Sequence, residues 1–176
     1  MLSDEDVKIY SSEESPKGEQ SDGEQSAATF LRHKENGNLA KCKELGLLLA
    51  KTFEGDAKRI ERDPYVSQKL SLISYIVSDE LAGEIPDVLL QKSALSVFQK
   101  AVEAMNPHIF SAISDSTAYT LYILDDRQGD AESMGKTFAE LCGDENNRQL
   151  IDSANLLASE YRSLFHSIIA SYSFAP

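Results

Sequence analysis

The sequence predicts an all-α protein, a compact bundle of about six helices, mostly antiparallel, with a long C-terminal helix as the core spine. Three observations lead there. Apolar residues recur at steps of three and four in almost every stretch. Start and stop signals punctuate those stretches: Asp63-Pro64 and Asn106-Pro107 open helices, and Gly55, Gly83 and Gly143 close them. No convincing two-residue alternation occurs anywhere, so nothing reads as a strand.

The longest pattern runs from Asn147 to Tyr172. Ile151, Ala154, Ala158, Tyr161, Phe165, Ile168 and Tyr172 form one seam, and Leu150, Leu157 and Leu164 recur beside it. The combined stripe is wide enough for more than one partner helix. It reads as an internal spine, with dimerisation through its surplus length as the lesser alternative.

Residues 1–25 read as a disordered acidic tail. Eight acids stand against two lysines there, a charge of −6 out of −12 for the chain. Such a stretch buries too little apolar surface to offset its ordering entropy. Residues 26–176 read as one helical-bundle domain. Ser26 to Glu35 is a short first helix with Ala27, Phe30 and Leu31 on one side. Asn38 caps a second helix, in which Leu39, Cys42, Gly46, Leu49 and Phe53 share a face. Gly46 in that seam lets another helix approach closely.

Val66, Leu70, Ile73, Val77 and Leu81 mark a third helix after Pro64. Pro86 opens a fourth, with Leu90, Ala94, Val97 and Ala101 in one row and Leu95, Phe98, Val102 and Met105 in another. A fifth runs from Pro107 to about Asp125. Asp130 caps a short sixth segment carrying Met134, Phe138 and Leu141.

The acidic balance works against binding to nucleic acid or to an anionic membrane surface. No stretch approaches the ~20 apolar residues of a membrane span. The two cysteines, Cys42 and Cys142, have no metal or redox spacing. They read as reduced core residues, which fits a cytoplasmic protein. The phosphate-binding, dinucleotide, zinc-protease and hydrolase signatures are absent, and so are the Glu-x-x-His pairs of helix-borne di-iron sites. No cofactor and no metal are expected.

The fifth helix departs from this pattern. Phe110, Ile113, Thr117, Leu121 and Leu124 line its apolar face. His108, Ser111, Asp115, Tyr119 and Tyr122 line a nearly opposite, polar face. If that face binds a ligand, Asp115 is its acid or base and Tyr119 a donor. The plainer reading is a solvent face, or a partly buried one whose polar groups satisfy each other. Two acidic clusters also stand out. Asp79, Glu80 and Glu84 end a helix, where the dipole disfavours them; Asp125, Asp126 and Asp130 surround a turn. The first hints at a cation nearby, of which Arg127 is one candidate, but the plainer reading of both clusters is solvated acids.

These features suggest a non-enzymatic protein-interaction or regulatory module whose partner is another protein or a second copy of itself. The alternative is a small-ligand-binding domain or enzyme using the face from His108 to Tyr122.

Overall fold

In the computed structural model, residues 27–56, 64–107, 118–128 and 132–176 are described. The acidic tail and residues 108–117 lie outside them. The protein is an all-α bundle, with no strand among the described residues. Its helices are α1 (residues 27–35), α2 (Asn38–Ala50), α3 (Pro64–Glu84), α4 (Val88–Met105), α5 (Ala118–Gln128), α6 (Ser133–Leu141) and α7 (Arg148–Ala170). A 3₁₀ turn, Lys51–Phe53, continues α2.

Local chemistry sets the boundaries. Asp87, one residue after Pro86, caps α4 by accepting from the Leu89 and Leu90 amides. Asn147 caps α7 by accepting from Leu150. Gly143, with φ of 79°, closes α6: its amide donates to Glu140 and that of Asp144 to Ala139. This double bond uses the last carbonyls of the helix and needs a left-handed residue at Gly143. Asn38 is not the cap expected of it. The cap position is Gly37, and the Asn38 side chain reaches into the interior instead.

The close helix approach expected at Gly46 is present, and the partner is α4. A Cβ built there would lie 2.6 Å from the Ala94 carbonyl oxygen and 2.9 Å from the Phe98 amide nitrogen. Both are backbone atoms, so no side-chain rotation would relieve the clash. Gly135 plays the same part between α6 and α7, against the carbonyl oxygen of Ile151.

Helix α7 is the longest described, at 23 residues or about 35 Å. It presents Ile151, Ala154, Ala158, Phe165 and Ile169 to α3, α6 and α2. The leucine row beside that seam fades along its length: Leu150 and Leu157 pack on the core, while Leu164 is exposed. The longest unbroken run of enclosed residues belongs to α3. From Leu70 to Val77 no residue is exposed, because α4, α5, α6 and α7 all pack around it. That stretch includes two serines. Ser71 returns its hydroxyl to the Ser67 carbonyl, whereas the Ser74 hydroxyl has no partner.

Candidate functional site

The polar face expected on the fifth helix is only partly described. His108, Ser111 and Asp115 fall outside the described residues. Tyr119 and Tyr122 lie on α5, and both turn toward α3. Their rings pack on Tyr75 with centroids 5.7 and 6.0 Å away. Tyr122 is fully enclosed. Leu121 and Leu124, expected in the core, face outward, and Leu124 is 48% exposed. The two faces are therefore inverted over this part of the helix. Tyr75 is the cause, since it offers an aromatic surface that phenol rings cover better than leucines. The Tyr122 hydroxyl has no hydrogen-bond partner among the described residues. Burial, helped by Cys142 and Asp125, pushes its pKa far above the usual tyrosine value, so it stays protonated.

A second polar group lies where α1, α2 and the start of α4 converge. His33 is the buried residue of α1, while Phe30 and Leu31, the expected inner residues, are exposed. Asn38 of α2 is also completely buried. Its Oδ1 accepts from the Ala175 amide at 2.9 Å, and its Nδ2 donates to the Ala175 carbonyl at 2.8 Å. A backbone amide can only donate and a carbonyl can only accept, so these two bonds fix the orientation of the Asn38 amide. The same Nδ2 donates to His33 Nδ1 at 3.0 Å. Nδ1 is thereby an acceptor, and the ring carries its hydrogen on Nε2. Nε2 lies 2.9 Å from Asp87 Oδ2. Asp87 Oδ1 meanwhile caps α4.

Desolvation raises the Asp87 pKa, but the amides of Leu90 and Leu89 and the His33 ring outweigh it and hold the carboxyl below its ordinary range. One chain of hydrogen bonds thus runs from the backbone at residue 175 through Asn38 and His33 to Asp87 and the first turn of α4. Residues 172–176, which follow α7 without regular secondary structure, make further contacts. The Lys41 ammonium donates to the Ser173 carbonyl at 2.6 Å, and the Phe174 ring packs against the core. A cavity of about 180 Å³ remains beside them, lined by Arg32, His33, Pro86, Asp87, Phe174 and Pro176 among others.

A third group lies at the acidic end of α3. Cations do meet these acids, and they come from α7; the Arg127 side chain lies outside those described. Arg162 Nη1 donates to Asp79 Oδ2 at 2.6 Å and to Glu80 Oε1 at 3.4 Å. His166 Nδ1 lies 3.0 Å from Glu84 Oε1 and 3.8 Å from Glu80 Oε2. Among the described residues, Glu80, Glu84 and His166 can hold a metal ion, their ligand atoms all within 4.8 Å of one another. Desolvation pushes the Glu80 pKa up, and Arg162 offsets only part of that.

Cys42 is buried and donates its thiol to the Leu90 carbonyl. Burial, with Asp87 nearby, raises its pKa to about 11, so it is not a reactive thiolate. Lys41 and Lys43 do not prevent this. An open, largely apolar depression of about 410 Å³ covers it, between Phe30, Leu39, Leu89 and Val97. Asp125 of the second acidic cluster accepts from the Thr137 hydroxyl, and its carbonyl accepts from Ser133.

No protein-family model matches the chain, and neither curated proteins nor solved structures give a significant match. Function therefore rests on the residues themselves. His33, Asn38 and Asp87 were not among the residues expected to form a site. Only Asp87 left a sequence signal, as a carboxylate after Pro86 at a helix start. No described helix is long and apolar enough to cross a membrane.

Proposed function

We propose that the protein is an interaction module that docks an extended peptide segment in the groove between α1, α2 and the start of α4. Residues 172–176 are its occupant in cis. The observation that carries this is the two-way hydrogen bond between the Asn38 amide and the backbone of Ala175. It reads main chain and makes no demand on the side chain at that position. Main-chain bonds of this kind supply affinity in peptide recognition, and adjoining side-chain pockets supply selectivity. Phe174, packed against the core beside Asn38, is the selective anchor. Lys41, on the carbonyl of Ser173, extends the main-chain contact by one more residue.

The groove is also preorganised. Asp87 and His33 hold the Asn38 amide in its working orientation. A receptor group held this way loses little entropy on binding. A small-ligand site on the face from His108 to Tyr122 gains no support from Tyr122, which is enclosed in the core. Cys42 and Cys142, with no disulfide between them, agree with a reducing, cytoplasmic setting.

The test is a chain ending at Ser171, titrated into a labelled peptide of residues 171–176 while anisotropy is followed. The truncated chain is expected to bind, and peptides carrying Phe174→Ala or Ala175→Pro to bind at least about tenfold more weakly. Indifference to both peptide changes counts against the proposal. So does a truncated chain that has lost its helical circular dichroism, because the segment would then be core and not cargo.

A further inference from the structure

The acidic end of α3 and the facing turn of α7 carry an arrangement that the docking groove does not use. From this geometry we propose that Glu80, Glu84 and His166 form a binding site for a divalent transition metal, of which Zn²⁺ is the best fit. Glu80 and Glu84 are four residues apart on α3, so their carboxylates project from one face. His166 meets them from α7.

The distances suit one ion. Ligand atoms held 2.0–2.1 Å from a tetrahedral centre lie roughly 3.3 Å apart. His166 Nδ1 is 3.0 Å from one carboxylate and 3.8 Å from the other. Both lie within about 0.5 Å of that spacing, and rotation of the Glu80 and Glu84 side chains, whose ligand atoms lie within 4.8 Å, closes the third edge. An imidazole with two carboxylates matches Zn²⁺ and its neighbours better than Ca²⁺ or Mg²⁺, which prefer oxygen alone.

Two further observations point the same way. Arg162, one turn before His166, binds Glu80 through Oε1 while Oε2 lies toward His166, which is how an outer partner orients a ligand. Charge is the second. The ion pairs of this seam set Asp79, Glu80 and Glu84 against the guanidinium of Arg162. With His166 neutral, two negative charges remain, at the helix end where the dipole is itself negative. A dication balances them. Glu80, only 13% exposed, gains most from that, since water reaches it least.

In the bound state Nδ1 of His166 gives its lone pair to the metal and the ring hydrogen sits on Nε2, facing solvent. Water fills the remaining coordination position. The ion would then tie α3 to α7, raising stability without touching the groove.

The experiment uses the full-length chain with Zn²⁺ alone, followed by calorimetry, and Co²⁺ as a spectroscopic probe. One equivalent of Zn²⁺ is expected to bind, with a thermal midpoint raised by several degrees and reversed by chelator. Co²⁺ should give a visible d–d band. His166→Gln and Glu84→Gln should each weaken binding about 100-fold and abolish the band, and Arg162→Lys should weaken it about tenfold. Cys142→Ser should change nothing. Zn²⁺ binding of equal strength in wild type and His166→Gln would place the metal elsewhere and overturn the proposal. A wild-type chain showing neither heat nor band at millimolar metal would overturn it as well.

Discussion

The two polar clusters of this molecule are built on opposite principles. Around His33 the members of the chain bond one another, and His33 and Asn38 are buried: Asn38 faces Ala175 and His33, His33 faces Asp87, and Asp87 faces the first turn of α4. At the end of α3 the groups are half-buried around Glu80 and open to water at His166, and Asp79, Glu80 and Glu84 are met by the Arg162 guanidinium and the His166 imidazole. In the first cluster, energy resides in what is orphaned when a member is removed. In the second it resides in Coulomb attraction that water and salt weaken. The two therefore respond differently to equivalent substitutions.

The largest effect is expected from His33→Ala. It strips a partner from both Asn38 and Asp87 and opens a cavity, at a cost of about 3 kcal/mol in urea unfolding. A loss no greater than that of His166→Ala would erase the distinction between the clusters. Asp87→Asn comes next. The amide still caps α4, but it places a donor against His33 Nε2, costing about 1–2 kcal/mol near neutral pH. It also changes the acid limb. The folded carboxyl of Asp87 titrates below its unfolded value. Its contribution is therefore complete above the unfolded value, about 3.9, and lost as pH falls through the lower folded one. Wild type should lose stability more steeply than Asp87→Asn below about pH 4. Parallel acid limbs would show that Asp87 is not held by this network.

The smallest effect is expected in the exposed cluster. Without metal, Arg162→Ala should cost under about 1 kcal/mol, and less still in 1 M salt. A cost above that of Asp87→Asn, unchanged by salt, would mean that the seam is drier than its geometry indicates.

The all-α class, most helix boundaries and the Gly46 contact were legible in the sequence because each depends on local periodicity or on a single special residue. The cation at the end of α3 was legible as a need, from three acids against a helix dipole. Its source was not, because Arg162 and His166 lie some eighty positions away. The inversion of α5 shows where periodicity fails. Leu121 and Leu124 have the spacing of a core face, yet Tyr75 on another helix decided which side turned inward. The groove was harder still. Asn38 looks like a helix cap and His33 like a lone histidine, and only the return of the chain at residue 175 gives either its role.

That return is the centre of the account, and Ala175→Pro in the full-length chain tests it most directly. Proline removes the amide that Asn38 accepts from, in a segment that lies outside any helix. In the wild type the tethered segment competes at an effective concentration on the order of millimolar, so a labelled peptide of residues 171–176 should bind only weakly. With Ala175→Pro the groove should open, and the peptide should bind more tightly than to wild type by the factor by which proline weakens the tethered segment, at least about tenfold. Equal and negligible binding to both folded chains would contradict the account, and would make residues 172–176 a fixed part of the bundle.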